Sequence, residues 1–183
     1  AGYTDISVSV NVSAKQLLLS DIVNTVDSIL DQYDLVPNKL ILEITESLMI
    51  NNLHDSSTVL DTIRSRGVKL AIDDFGTGFS SMAQLKKMPL DELKIDKSFV
   101  LDLNNDEDDE VIVKSTVELA HNLGLSVVAE GVEDLLTLKK LTGFGCDVAQ
   151  GYFIAKPMTA ENFMKWWDPD NLRQLISQEV SHD

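Results

Sequence analysis

The sequence predicts an α/β fold of the (β/α)8 barrel type, carried here by about six strand–helix units. Three observations lead there. Short β-branched runs alternate with amphipathic helical patterns along the chain, the signature of a parallel sheet with crossover helices. Several of those runs are apolar nearly throughout, as strands covered on both faces are. Polar residues recur at the ends of successive runs: Asn11, Glu43, Asp73, Asp74, Lys94, Glu130 and Gln150. A barrel gathers the C-terminal ends of its strands at one mouth, whereas a doubly wound open sheet brings together only those flanking its switch point. Six units fall two short of eight, roughly 60 residues at about 30 per unit.

Taken in order, the first strand is expected over Ile6–Val12 and a long helical pattern over Ala14–Tyr33. Pro37 marks the loop before a strand at Leu40–Thr45. Asp55 is a suitable N-cap for a helix running to Arg66, with Gly67 past its end. The strand Val68–Asp73 leads into a Gly-rich turn at Gly76 and Gly78, then a helix over Ser80–Lys87 capped by Ser80. After Pro89 comes the strand Glu92–Ile95. The acidic run Asp106–Glu110 opens a helix over Glu107–Leu123, where negative charge at the N-terminus complements the helix dipole. Gly124 follows that helix. Strands at Ser126–Ala129 and Val148–Phe153 flank a helix at Leu135–Leu141, and a last helix spans Ala160–Trp167. No linker-like stretch interrupts the pattern, so residues 1–168 read as one domain and 169–183 as a tail or short surface helix.

Composition narrows the function classes. At 183 residues and 44% hydrophobic content, the chain can bury a substantial core. No apolar run reaches the roughly 18 residues needed to cross a bilayer, and the start lacks a basic-then-apolar leader pattern. The single cysteine, Cys146, excludes an internal disulfide and fits a reducing cytoplasm, although tethering to a membrane through other segments stays compatible. Thirty acidic against fifteen basic residues give a formal charge of −15, which disfavours nucleic acid polymers and direct contact with anionic lipid. An anionic small molecule remains possible where bound cations invert the local field. His54, His121 and His182 have no ligand spacing and read as surface residues. Trp166 and Trp167 read as packing the last helix onto the barrel, and Cys146 as a small packed hydrophobe.

The densest chemistry is Asp73-Asp74-Phe75-Gly76-Thr77-Gly78, directly after the apolar run Val68–Ile72. Paired carboxylates at the end of a buried strand, followed by a Gly-rich turn, point to a hard-cation site with a mobile loop over it. Structural alternatives stand beside this reading. Asn11 could cap a strand end, Glu43 and Glu46 could form a charge pair at a helix start, and Lys94 could be a salt-bridge partner. Glu133 could serve as a helix N-terminal charge.

Six ordered segments resemble the EAL-domain family of cyclic di-GMP phosphodiesterases. They are Ser9-Val10-Asn11-Val12-Ser13 with Gln16-Leu17; Leu42-Glu43-Ile44-Thr45-Glu46-Ser47; Ile72–Ser81; Leu93-Lys94-Ile95-Asp96-Lys97-Ser98-Phe99; Val128-Ala129-Glu130-Gly131-Val132-Glu133; and Gln150-Gly151-Tyr152-Phe153. The resemblance spans Ile6 to Met158. The Glu-Ala-Leu tripeptide that names the family, with its metal-binding glutamate and neighbouring arginine, does not occur. The sequence is therefore read as the last six units of an EAL domain.

That resemblance implies hydrolysis of cyclic di-GMP to linear pGpG with two magnesium or manganese ions, and inhibition by calcium. It implies metal ligation by Asn11, Glu43, Asp73, Asp74 and Glu130. Glu130 is implied as general base in preference to a cationic Lys94, which would hold the attacking water or the phosphate, while Gln150 would orient water or substrate. Glu46 is implied to hydrogen-bond the loop containing Gly76, Thr77 and Gly78, with Glu133 nearby. A homodimer, with GGDEF or sensory domains beside it, is implied as well. With one ligand and the arginine missing, these residues alone are expected to turn over little or no substrate. A catalytically silent cyclic di-GMP receptor that signals by dimer rearrangement is the alternative, and an unrelated metal-dependent barrel a third possibility.

Overall fold

Six strands form one parallel sheet in sequential order: β1 (Val8–Asn11), β2 (Leu40–Thr45), β3 (Lys69–Phe75), β4 (Glu92–Ile95), β5 (Ser126–Glu130) and β6 (Val148–Gln150). They belong to a computed structural model that describes residues 6–19, 21–46, 53–78 and 82–167. Parallel strands taken in sequence require each crossover to pass on the same side, because crossovers share one hand. The helices therefore cover one face, and the strand order never reverses as it would at a doubly wound switch point. The architecture is a half-barrel sector.

The helices are α1 (Ala14–Leu19), α2 (Ile22–Tyr33), α3 (Leu53–Ser65), α4 (Met82–Leu85), α5 (Lys97–Leu101), α6 (Glu107–Asn122), α7 (Leu135–Phe144) and α8 (Ala160–Trp166). Alternate strand residues, among them Leu42, Ile44, Leu70, Ile72, Leu93, Ile95, Val127 and Ala129, join Leu60, Ile63, Val113, Val117 and Leu141 in a single core. The intervening residues line the other face. Register places Asn11 beside Glu43, Glu43 beside Ala71, and Ala71 beside Glu92; farther along, Lys94 pairs with Val128 and Glu130 with Gln150. The helix-covered face is thus hydrocarbon, while the other face carries Glu43, Asp73, Glu92, Lys94 and Glu130 among the apolar Ile41, Ala71 and Val128.

Helix starts follow the capping expected of Asp and Thr. Asp106 accepts from the Asp108 and Asp109 N–H groups ahead of the acidic first turn of α6. Asp134 caps α7, Thr159 caps α8 and Asp96 caps α5. Gly67 and Gly124 sit just past α3 and α6.

Several sequence expectations shift. The pattern over Ala14–Tyr33 is two helices, with Asp21 immediately before the second. Asp55 lies inside α3 and is not its cap. The helix expected over Ser80–Lys87 is the short Met82–Leu85, and Ser80 falls outside the described residues. The helix at Leu135 extends to Phe144, where Gly145 ends it in the left-handed conformation. The last strand stops at Gln150 instead of Phe153. The cause is a close approach: a Cβ on Gly151 would sit 2.1 Å from the Val132 carbonyl oxygen. Val132 N–H donates to the Gln150 carbonyl and Phe153 N–H to the Val132 carbonyl, so the chain turns there. Residues 168–183, expected as a tail, and His182 lie outside the described residues. The described ring contacts of Trp166 and Trp167 are with Phe163 on their own helix. No described helix is long and apolar enough to cross a membrane.

Candidate functional site

Lys94 organises the polar face of the sheet. Its ammonium lies 3.0 Å from Glu43 Oε2, 3.0 Å from Asp73 Oδ1 and 2.7 Å from Glu130 Oε1, so carboxylates from β2, β3 and β5 converge on one cation from β4. Lys94 is 3% exposed, Glu43 6% and Asp73 9%. Burial alone would pull the Lys94 pKa down, but its close contacts with the carboxylates of Glu130, Glu43 and Asp73 outweigh it and hold the ammonium above its ordinary value. A group so held is a poor proton acceptor.

The backbone of β3 explains how two consecutive carboxylates share this face. Neighbouring strand residues normally point to opposite sides. Here Ile72 pairs with Leu93 and Phe75 with Ile95, so Asp73 and Asp74 together oppose Lys94 in a β-bulge. Asp74 adopts φ of 55°, a left-handed conformation that costs a non-glycine residue free energy. Bulges re-aim side chains next to functional sites. Oxygen atoms of Asp73, Asp74 and Glu130 consequently lie within 4.8 Å of one another. Glu43 is joined to this trio through Lys94, and Asn11 stands beside Glu43 in register on the exposed edge strand.

Electrostatics fit an added cation. Burial raises the Asp74 pKa, the charges of Asp73 and Asp96 raise it further, and Lys94 opposes them. Burial likewise raises Glu130, with Lys94 pulling the other way and Asp73 and Glu43 adding to the rise. Asp96 was not singled out from the sequence. It follows β4 two residues after Lys94, and its spacing at a strand end was the available signal. Burial would raise its pKa, yet hydrogen bonds from Ser98 keep it below the usual carboxylate range. Thus Lys94 is paired with Glu43, Asp73 and Glu130, and Asp74 stands beside them with Asp96 next to it, an excess of negative charge. Asp73 Oδ1 is buried without an aligned hydrogen-bond donor, although Lys94 Nζ is near. An all-oxygen donor set of this kind suits a hard divalent cation.

The loop after β3 is held from β2. Glu46, 3% exposed, accepts hydrogen bonds at Oε2 from Gly76 N–H (3.1 Å) and Gly78 N–H (3.0 Å). Gly76 has φ of 100°, and a Cβ there would lie 2.8 Å from the Phe99 ring, so only glycine fits both the turn and the neighbour. Thr77 Oγ1 donates to the Asp74 carbonyl, tying the loop to the bulge. Gln150 pairs in register with Glu130, and both line a groove that also contains Glu133.

The motifs that converge on Lys94 are those of a known family, whose EAL domain description matches residues 2–157. The chain belongs to the EAL-domain family. Among its relatives, the signaling protein YkoW of Bacillus subtilis is 41% identical over 162 residues, which is 88% of this chain and 20% of YkoW. The bifunctional diguanylate cyclase/cyclic di-GMP phosphodiesterase MucR of Pseudomonas aeruginosa is 41% identical over 163 residues, 89% of this chain and 24% of MucR. The MucR phosphodiesterase solved in complex with c-di-GMP superposes with a TM-score of 0.85, covering 88% of this chain and 66% of that one. BlrP1 of Klebsiella pneumoniae, solved with manganese and cy-diGMP, gives a TM-score of 0.76 at 33% identity, covering 82% of this chain and 39% of that one. The chain spans about a fifth to a quarter of the curated relatives' length.

Proposed function

We propose that this EAL-domain site binds cyclic di-GMP and that, in a complete barrel, it hydrolyses one phosphodiester to give linear pGpG. The observation that carries the reading is the convergence of Glu43, Asp73 and Glu130 on Lys94 at one end of the sheet. Magnesium or manganese ions held by Asp73, Asp74 and Glu130, with Glu43 and Asn11 contributing from β2 and β1, would supply charge stabilisation to the phosphoryl oxygens.

The protein's own groups divide the remaining work. Lys94, kept protonated, holds a phosphate oxygen or the incoming water. Glu130, whose carboxyl is raised by burial, takes the proton from that water as its oxygen attacks phosphorus and the bond to the ribose 3′ oxygen breaks. Gln150 orients water or substrate beside Glu130. Glu46 keeps the loop of Gly76, Thr77 and Gly78 over the paired aspartates, and Glu133 stands at the rim. Calcium occupies the carboxylates without supporting efficient turnover.

The sequence contains no Glu-Ala-Leu glutamate, so the 183 residues bind cyclic di-GMP better than they turn it over. Homodimerisation, neighbouring GGDEF or sensory domains and a cytoplasmic setting complete the reading. Calorimetry with cyclic di-GMP in calcium, followed by chromatography for pGpG in magnesium or manganese, tests it. Binding with little turnover is expected. A folded chain with no affinity for cyclic di-GMP in calcium would sink the proposal, and rapid turnover would overturn the part concerning the missing glutamate.

A further inference from the structure

We propose that residues 169–180 return along α8 as an amphipathic helix and fill the apolar groove between α8 and the loop after β6. Nothing in this arrangement depends on the ligand of the carboxylate site. Phe163, Trp166 and Trp167 fall on one side of α8 at helical spacing, and their rings lie 6.0 and 5.7 Å from Phe163 centre to centre. This aromatic ridge borders a groove of about 550 Å3 that Tyr152, Pro157 and Met158 also line. Tyr152 is 59% exposed, and none of the residues of α8 is buried. Seven residues are too few for a helix to persist in water without tertiary packing. The ridge therefore needs a cover.

The chain itself supplies one. It leaves the helix at Trp167, whose ψ of 96° is extended, and continues through residues 168–183. Asp168-Pro169 is a start signal for a second helix. Proline disfavours helical backbone at the residue before it and suits the first helical position, with Asp as the cap. From there Leu172, Leu175, Ile176 and Val180 recur at helical spacing, whereas Arg173, Gln174, Ser177 and Gln178 take the opposite side.

Two helices joined by so short a turn run antiparallel. The rise of α8 and the rise from Leu172 to Glu179 are each about 10 Å. Leu172 then lies against the two tryptophans, and Leu175 and Ile176 lie against Phe163. Glu179 shares the apolar side and arrives at the far end of the groove, where Lys156 Nζ stands 5.7 Å from the centre of the Tyr152 ring. Opposite charges thus meet where the hydrocarbon ends. A segment tethered through two residues faces the groove at about millimolar effective concentration, which favours it over a separate chain.

The only two tryptophans of the chain both belong to the ridge, so acrylamide quenching of their fluorescence reads its cover directly. In the whole chain, Leu175→Asp combined with Ile176→Asp should abolish the shielding of the tryptophans. Ser177→Asp combined with Gln178→Asp, on the opposite side, should leave it intact. Hydrogen exchange on wild-type chain needs no variant. Amides of residues 173–180 should exchange about ten- to a hundredfold more slowly than in an unstructured peptide, and dilution should not alter this. Exchange at the unstructured rate would overturn the inference. So would quenching that ignores the Leu175 and Ile176 changes, or that rises equally with the Ser177 and Gln178 changes. Protection that vanishes on dilution as dimers dissociate would assign the cover to a second copy and overturn it as well.

Discussion

On the helix-covered face of the sheet, Ile44, Leu70, Ile72 and Leu93 are completely buried among hydrocarbon. One residue away on the same strands, Glu43, Asp73 and Lys94 are almost as deeply buried, yet they are held by charge. The first face derives its stability from area removed from water, so each residue contributes nearly independently. The second depends on balance. Removing one member leaves the others buried with uncompensated charge, which costs far more than the pair was worth. Equal burial therefore hides opposite sensitivities: the apolar face responds to volume, and the polar face to ions.

The largest expected effect is at Lys94. Lys94→Met should destabilise the metal-free chain by about 3–5 kcal/mol, the range seen when one partner of a buried ion pair is removed. Magnesium or calcium should restore part of that loss by taking over the role of the ammonium. Denaturant titrations with and without the cation would check both, and an unresponsive variant would break the contrast between the faces. Ile72→Ala comes next, at about 3 kcal/mol from lost transfer energy and a residual cavity. Its deficit should be the same with and without divalent ions.

Wild-type chain should itself gain about 2.7 kcal/mol when free calcium is a hundredfold above its dissociation constant. Asp74→Asn should largely remove that gain, seen as loss of the calcium-dependent rise in melting temperature. The smallest effect lies away from both faces. Asp147 accepts hydrogen bonds from His121 Nε2 and Val127 N–H, and the His121 contact holds its carboxyl below the ordinary value. Its stabilising contribution is present above the unfolded carboxylate pKa of about 3.9 and is lost as pH falls through the lower folded value. The melting-temperature gap between wild type and Asp147→Asn should accordingly close in acid, and a gap that widens there would contradict the assignment.

Much of the fold was legible because its signals are periodic. Residues such as Leu40–Thr45 and Ser126–Ala129 announce strands by β-branched composition, and Asp106 announces a helix by the acidic turn after it. The break between α1 and α2 was hidden because the apolar pattern runs through it. α5, five residues long, is too short for a period to register. Strand-end residues such as Glu43, Lys94 and Glu130 stood out as polar groups in apolar runs, and the structure brings these three together. The bulge at Asp73–Asp74 was not legible: two adjacent carboxylates carry no information about register, which is decided by pairing with β4. Asp96 escaped for a related reason, since its link to Asp74 exists only once that bulge has turned Asp74 toward it.

The bulge at Asp73–Asp74 makes the double-carboxylate arrangement all-or-none. Deleting either of the two residues would restore an even pleat, with Ile72 and Phe75 still opposite Leu93 and Ile95, and leave a single carboxylate facing Lys94. No intermediate pairing keeps both acids at the mouth. Substitutions in this stretch can weaken the site by degrees, but a change in chain length would abolish it in one step.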